Sequence, residues 1–161
     1  MTGADADLAR LLAAFLHAHR RLLAYARTHL AVRESEWDPG GHVYLTNYRT
    51  TDGYHRRAPV ERHTLLRSDV GITVSDPDGD TSEVNVEAVV RPYPTGFEVS
   101  VELLLGAGEQ STTGWPAGLH LLHGERRHCA DVPEALTSLA AFVDRLYAIE
   151  DPLASVRWTR R

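Results

Sequence analysis

The sequence predicts an α+β fold, with an N-terminal helix, an antiparallel meander sheet of about six strands and a C-terminal helix. Amphipathic helical patterns lie towards both ends of the chain, and alternating apolar and polar residues fill most of the middle. Short turns between the strands make neighbours antiparallel. Because both helices must bury an apolar stripe and the sheet offers one valine-rich face, we expect both helices on one sheet face. A length of 161 residues with 43% hydrophobic content suits a single domain, 1–161.

The first helix is predicted over residues 5–33. Asp5 or Asp7 can cap its start and oppose the positive end of the helix dipole. A cluster of helix breakers at 37–41 ends it. Its apolar stripe recurs at three- and four-residue intervals and consists of Leu8, Leu11, Leu12, Phe15, Leu22, Leu23, Ala26 and Leu30.

The strand-like segments are residues 42–50, 54–67, 70–76, 80–91, 96–105 and 119–128. Asp52 and Gly53 form a strong hairpin signal between the first two segments. Pro59 places the second segment at an edge or a bulge. A three-residue loop ending at Gly79 keeps the valines of the third and fourth segments on one face.

The fourth and fifth segments can pair in two registers. One places Glu87 directly opposite Glu102, which is unfavourable by roughly a few tenths of a kcal/mol or more because like charges repel. The other places Glu87 opposite Ser100 and Glu102 opposite Asn85. The sequence favours the second register.

The last helix is predicted to begin at Asp131, which acts as the N-cap. Pro133 is an early proline and Glu134 completes a capping box. Asp151 and Pro152 end the helix. Its buried stripe is Leu136, Leu139, Val143 and Leu146.

An acidic strip is the most informative feature of the chain. Nine acidic residues and a single basic residue, Arg91, lie between Ser68 and Gln110, a net charge of −8 in that window. Two strand runs alternate carboxylates with valines, so the carboxylates are expected to be exposed on the face opposite the core. We define the acidic strip as Glu83, Glu87, Glu98 and Glu102.

Composition argues against several classes of partner. All 17 basic residues are arginines, a bias typical of GC-rich genomes such as those of actinobacteria. The arginine pairs are isolated and the net charge is −5, which argues against nucleic-acid binding. The N-terminus is acidic and no apolar run reaches the length of a membrane span. We expect a soluble cytoplasmic protein without membrane contact.

Known catalytic and metal-binding signatures are missing from the sequence. Cys129 is the sole cysteine, and the nine histidines show no zinc spacing. No nucleophile elbow is present, so we predict no metal, no cofactor and no catalytic residue. Water-bridged cation binding or hydrolysis at Glu87, Glu98 and Glu102 remains a minor alternative.

The order of elements is similar to that of small bacterial immunity proteins and secretion chaperones. The resemblance covers element order, and it implies a protein partner such as a toxin or a secreted effector. With the acidic strip, it leads to the hypothesis of a non-enzymatic protein-binding module that engages a basic protein surface through Glu83, Glu87, Glu98 and Glu102.

The alternative hypothesis is a small-molecule-binding or cyclase-like enzyme. The sequence is similar in part to the helix-grip fold of polyketide cyclases and lipid-binding proteins, whose meander encloses a cavity. It departs from them by starting with a long helix and by ending with a short one. The polar groups of such a pocket, between sheet and helices, would be Tyr44, Tyr48, His63 and Glu87.

Overall fold

The computed structural model describes residues 3–30, 40–45, 66–75, 81–93, 95–107 and 115–156. The helices are α1 (Gly3–Tyr25), a short π-helix that directly follows it (Ala26–Leu30), and α2 (Val132–Tyr147). The strands are β1 (Gly40–Leu45), β2 (Leu66–Ser75), β3 (Thr81–Tyr93), β4 (Gly96–Ala107) and β5 (Gly118–Cys129).

The strands form one antiparallel sheet in the order β1-β2-β3-β4-β5. The α+β class and the antiparallel meander are therefore confirmed. About six strands are not confirmed, because the described residues contain five. The hairpin at Asp52 and Gly53, Pro59 and the loop at Gly79 lie outside the described residues. None of the described helices is long and apolar enough to cross a membrane.

The break predicted after Arg67 is wrong, since residues 66–75 form one strand. The polar residues there keep the alternation of a strand. Leu66, Ser68 and Val70 are buried, while Arg67 and Asp69 between them are partly exposed. Ser68 lies in the core with a hydrogen-bond partner, since its hydroxyl is 2.8 Å from His19 Nδ1 of α1. A buried polar group normally has such a partner.

Alternate residues of the central strands supply the core, as the alternation of valines with carboxylates predicts. Six β3 and β4 residues on this face are 3% exposed or less, and Phe97 is partly buried against the core. Each fully buried side chain contributes about 1.5–3 kcal/mol to the stability of the fold. The six residues are Val84, Val86, Val90, Val99, Val101 and Leu103.

The register predicted between β3 and β4 is wrong. Glu87 lies directly opposite Glu102, and Asn85 lies opposite Leu104. The electrostatic cost of this register is reduced because each glutamate accepts a hydrogen bond from an arginine. Arg67 of β2 contacts Glu87, and Arg126 of β5 contacts Glu102. Repulsion disfavours this pairing in two isolated strands, whereas in the sheet the neighbouring strands supply the opposing charges.

Strand β4 begins at a position that requires glycine. Gly96 has a φ of +129°, in the region that side chains disfavour. A β-carbon at this position would lie 2.1 Å from the carbonyl oxygen of Cys129 on β5. Gly96 therefore allows β4 to begin beside the end of β5.

Helix α2 begins as the sequence predicts. The Asp131 carboxylate accepts a hydrogen bond from the Glu134 amide at 2.9 Å. The Glu134 side chain reaches back to the Ala130 amide at 2.8 Å, one residue before the amide of an ideal capping box. Glu134 also pairs with Arg127 of β5, so the cap fixes the start of α2 against the last strand.

The two helices contact each other directly. Arg21 of α1 forms an ion pair with Asp144 of α2 at 2.7 Å, and the Tyr147 hydroxyl donates to the Arg21 carbonyl at 2.5 Å. Tyr25, at the end of α1, packs its ring 5.3 Å from the ring of Tyr147. These contacts join the C-terminal part of α1 to the C-terminal part of α2.

Candidate functional site

One face of the sheet carries most of the charged side chains of the central strands. Directly paired residues of an antiparallel sheet share a face, and the pairing places alternate residues of β2 to β5 together on the side opposite Val84 and Val86. We call this surface the charged face. Its charged residues are Arg67, Asp69, Glu83, Glu87, Arg91, Glu98, Glu102 and Arg126.

Arg67 of β2 contacts two of these carboxylates. Its Nη2 donates to Glu87 Oε1 at 2.5 Å and to Asp69 Oδ2 at 3.4 Å. Hydrogen bonds to charged groups contribute more than neutral ones, about 1.5–3 kcal/mol each when they are shielded from water. Arg67 is 42% exposed, so solvent screening reduces its contribution.

Two further ion pairs continue the pattern across the sheet. Arg126 Nη2 donates to Glu102 Oε1 at 2.8 Å, and this bond raises the pKa of Arg126 above its ordinary value. Arg91 Nη1 donates to Glu98 Oε1 at 3.0 Å, between directly paired residues. Three of the four residues of the acidic strip therefore have an arginine partner.

The expected exposure of the acidic strip is wrong for those three residues. The side chains of Glu87, Glu98 and Glu102 are 20%, 16% and 19% exposed, whereas Glu83 is exposed as predicted. The face is more closely packed than a fully solvated one, because Val89 and Ser100 at its centre are also buried. These two lie in register beside Arg67 and Arg126, whose long apolar stems can cover them.

A row of three carboxylates crosses the charged face. Asp69, Glu87 and Glu102 are directly paired in sequence across β2, β3 and β4, and we call them the carboxylate row. Burial raises the pKa of Glu87, the nearby charges of Asp69 and Glu102 raise it further, and Arg67 opposes the shift. The row has three carboxylates and two arginine partners, Arg67 and Arg126, so carboxylates outnumber arginines in it.

The described residues of the charged face are arranged as arginine–carboxylate ion pairs. Among the described residues, no group of three histidine, cysteine or acidic side chains is placed to hold a metal ion. Cys129 is fully buried, and its Sγ lies 3.4 Å from the hydroxyl of Ser138. A buried thiol in such surroundings behaves as a small core residue.

The alternative ligand pocket falls partly outside the described residues. Tyr48 and His63 lie outside the described residues. Tyr44 belongs to β1 and is in register with Arg67, while Glu87 is held by Arg67. The alternative pocket therefore stays a hypothesis without support from the structure; its residues are Tyr44, Tyr48, His63 and Glu87.

Two clefts lined by described residues are small. One lies between the β4–β5 pair and α2, beside Glu125 and Arg145, and has a volume of about 130 Å³. The other lies between α1 and α2, with Ala18 and Leu139 in its walls, and has a volume of about 90 Å³. Pockets for drug-sized ligands have volumes of roughly 300–1,000 Å³, so neither cleft suits such a molecule.

Three residues that shape the charged face are not among those predicted for the site. Arg67 and Arg126 stand outside the two valine strands, and Asp69 lies in the gap predicted between two strand-like segments. The alternation of Leu66, Ser68 and Val70 is a sequence signal that places Arg67 and Asp69 on the outer face.

Comparison of the chain with protein-family models, with curated proteins and with solved structures finds no significant match.

Proposed function

We propose that this protein is a non-enzymatic protein-binding module that engages a basic surface of a partner protein through its charged face. The carboxylate row supports the proposal most strongly. Asp69, Glu87 and Glu102 lie side by side, and the nearby arginines leave the face with negative charge in excess. A basic surface would complement that charge.

The charge count favours a basic partner over an acidic one. The charged face has five carboxylates and three arginines, and the whole chain has a net charge of −5. Complementary fields accelerate the encounter of two proteins and exclude partners of like charge. Glu83 is exposed and extends the negative region along β3.

The ion pairs also prepare the carboxylates for binding. Arg67 holds Glu87, and Arg126 holds Glu102, in each case through Oε1. A side chain that is already held loses less conformational freedom when a partner arrives, which is commonly worth about 0.5–1.5 kcal/mol for each side chain. A partner's cations would therefore meet positioned acceptors.

The proposal also supposes that both helices cover the opposite sheet face. In support, one hydrophobic cluster contains Phe15 of α1 and Phe142 of α2 together with Val86 and Val101 of the sheet. This arrangement would leave the charged face open to a partner. The order of elements favours two forms of this function, both in the cytoplasm. One is an immunity protein that blocks a toxin, and the other is a chaperone for a secreted effector.

A binding measurement with an oligoarginine peptide tests the proposal. Fluorescence anisotropy at low ionic strength would compare the wild type with the Glu87→Gln, Glu102→Gln double variant. We expect the double variant to bind about tenfold more weakly, because two charge contacts are removed. The matched control is Glu150→Gln, Asp151→Asn, which removes two acidic groups after α2. Equal weakening by both double variants would contradict the proposal.

A further inference from the structure

Two leucines of β5 are strongly exposed beside the charged face. Leu119 is 69% exposed and Leu121 is 58% exposed, more than the exposed leucines of α1, Leu8 at 49% and Leu16 at 40%. Leu121 is paired with Leu104, and Leu119 is paired with Gly106. These pairings place both leucines on the same side of the sheet as Glu102.

The leucines adjoin the carboxylate row directly. Glu102 is paired with Gly124 of β5, and a β-carbon on that glycine would meet two neighbours. It would lie 2.9 Å from Leu121 Cδ1 and 3.3 Å from Glu102 Cγ. The Leu121 side chain therefore lies over Gly124, next to the stem of Glu102. Leu104, which is paired with Leu121, is only 8% exposed, so we call Leu119 and Leu121 the leucine patch.

We propose that the leucine patch and the carboxylate row together bind a basic amphipathic segment of the partner protein. The inference rests on the proposed function, and it adds the chemistry of the segment. Contiguous exposed apolar patches with a polar rim are typical of interaction surfaces, and here the carboxylates border the leucines. Apolar side chains of the segment cover Leu119 and Leu121, and its cationic side chains meet Glu87 and Glu102.

The dimensions of the surface suit a helix that lies parallel to the strands. From β5 to β3 the sheet spans two strand spacings, or about 10 Å at roughly 4.8 Å each. An α-helix with its side chains is about 10–12 Å wide. One helix can therefore cover the leucine patch on β5 with its apolar side and reach Glu102 on β4 and Glu87 on β3 with its charged side.

Other occupants fit the charge of this surface less well. An anionic lipid surface would be repelled by the carboxylates that border Leu121. A second copy of the chain would bring an equally acidic face against the row, and each copy has a net charge of −5. A segment that is both cationic and apolar satisfies the two parts of the surface at once.

The test uses a synthetic helical peptide with leucines on one side and arginines on the other. A second peptide of the same composition, scrambled so that the two residue types are no longer segregated, is the reference. We expect the wild type to bind the segregated peptide at least about tenfold more tightly. Titration calorimetry at low ionic strength would give both affinities.

The Leu119→Ser, Leu121→Ser variant should lose most of this preference while binding oligoarginine as the wild type does. Its matched control is Leu8→Ser, Leu16→Ser, which should keep the preference. Urea unfolding of each variant checks that the fold is intact. Because the altered side chains are exposed, the free energy of unfolding should change little.

The outcomes separate this inference from the proposed function. If Leu119→Ser, Leu121→Ser changes neither affinity while Glu87→Gln, Glu102→Gln still weakens binding, the leucine patch is not part of the site and the inference fails alone. If the glutamine variant binds both peptides like the wild type, the proposed function fails. Sedimentation that shows a dimer lost on substitution of Leu119 and Leu121 would assign the patch to a second copy and overturn the inference.

Discussion

Glu87 and Glu102 lie directly opposite each other on β3 and β4, although both are acidic. Each is held from its outer side by an arginine, Arg67 in one case and Arg126 in the other. The two like charges therefore stay adjacent on a half-buried surface. This relationship makes the charged face a candidate for binding a cationic partner and gives its residues measurable effects on stability.

The Glu102–Arg126 pair should show a favourable coupling energy. A double-mutant cycle with Glu102→Gln and Arg126→Gln, measured by urea unfolding, is expected to give about 0.5–1 kcal/mol. The glutamate is 19% exposed, so its interaction is less screened than that of a surface pair. The control cycle uses Glu125 and Arg145, which are 45% and 52% exposed and should couple more weakly. A larger coupling in the control pair would be inconsistent with this view of the charged face.

Glu87 should make stability depend on pH in a specific direction. Its pKa is raised above the ordinary value of 4.5, so the folded state holds the proton more tightly than the unfolded chain does. Ionisation of Glu87 therefore lowers the stability of the folded state as the pH rises from about 4 through that raised pKa. The Glu87→Gln variant does not ionise at this position, so it does not show this loss of stability.

We expect the free energy of unfolding of the wild type, minus that of Glu87→Gln, to decrease between about pH 4 and pH 7. Urea unfolding at several pH values would measure it. An increase over the same range would mean that Arg67 lowers the pKa of Glu87 below its ordinary value. The control is Glu150→Gln, whose difference from the wild type should vary less, because Glu150 is exposed.

Removal of the hydroxyl should affect stability differently at Tyr25 and Tyr147. The Tyr25 hydroxyl is buried without a hydrogen-bond partner among the described residues, and burial together with Tyr147 raises the pKa of Tyr25 to about 12. Tyr25→Phe should leave stability unchanged or raise it by up to about 1 kcal/mol. Tyr147→Phe removes the bond to the Arg21 carbonyl and should lower stability by about 1 kcal/mol. Thermal unfolding of both variants would show whether their effects have this order.

The cap of α2 should contribute to stability independently of the charged face. Asp131→Ala removes the acceptor of the Glu134 amide and is expected to cost about 1 kcal/mol. Asp131→Asn keeps an acceptor oxygen and should retain most of the stability. If chemical unfolding finds the alanine and asparagine variants equally stable, the acceptor oxygen at position 131 does not contribute to the stability of the fold.

The sequence predicted the parts of the fold that depend on local patterns. The start of α2 follows from the chemistry of Asp131 and Glu134, and the buried faces of β3 and β4 follow from alternation at residues such as Val84 and Val101. These features depend on neighbouring residues, so a single sequence contains the necessary information.

The register and the burial of the acidic strip could not be predicted in the same way. They depend on Arg67 and Arg126, which are 20 and 24 residues distant in sequence from the carboxylates they contact. A pairwise repulsion between Glu87 and Glu102 decides the register only if the two strands are isolated. In the sheet, the charges of four strands lie on one face. The arginines on β2 and β5 permit the pairing of Glu87 with Glu102, which β3 and β4 alone would disfavour.

Mapping the contact surface by NMR tests the central claim most directly. Titration of isotope-labelled protein with an oligoarginine peptide at low ionic strength should shift the amide signals of β2 to β4 around Asp69, Glu87 and Glu102. The shifts should decrease with added salt, because exposed charges are screened over about 10 Å at 0.1 M. Shifts concentrated instead around Asp144, Glu150 and Asp151, with the carboxylate row unaffected, would contradict the account.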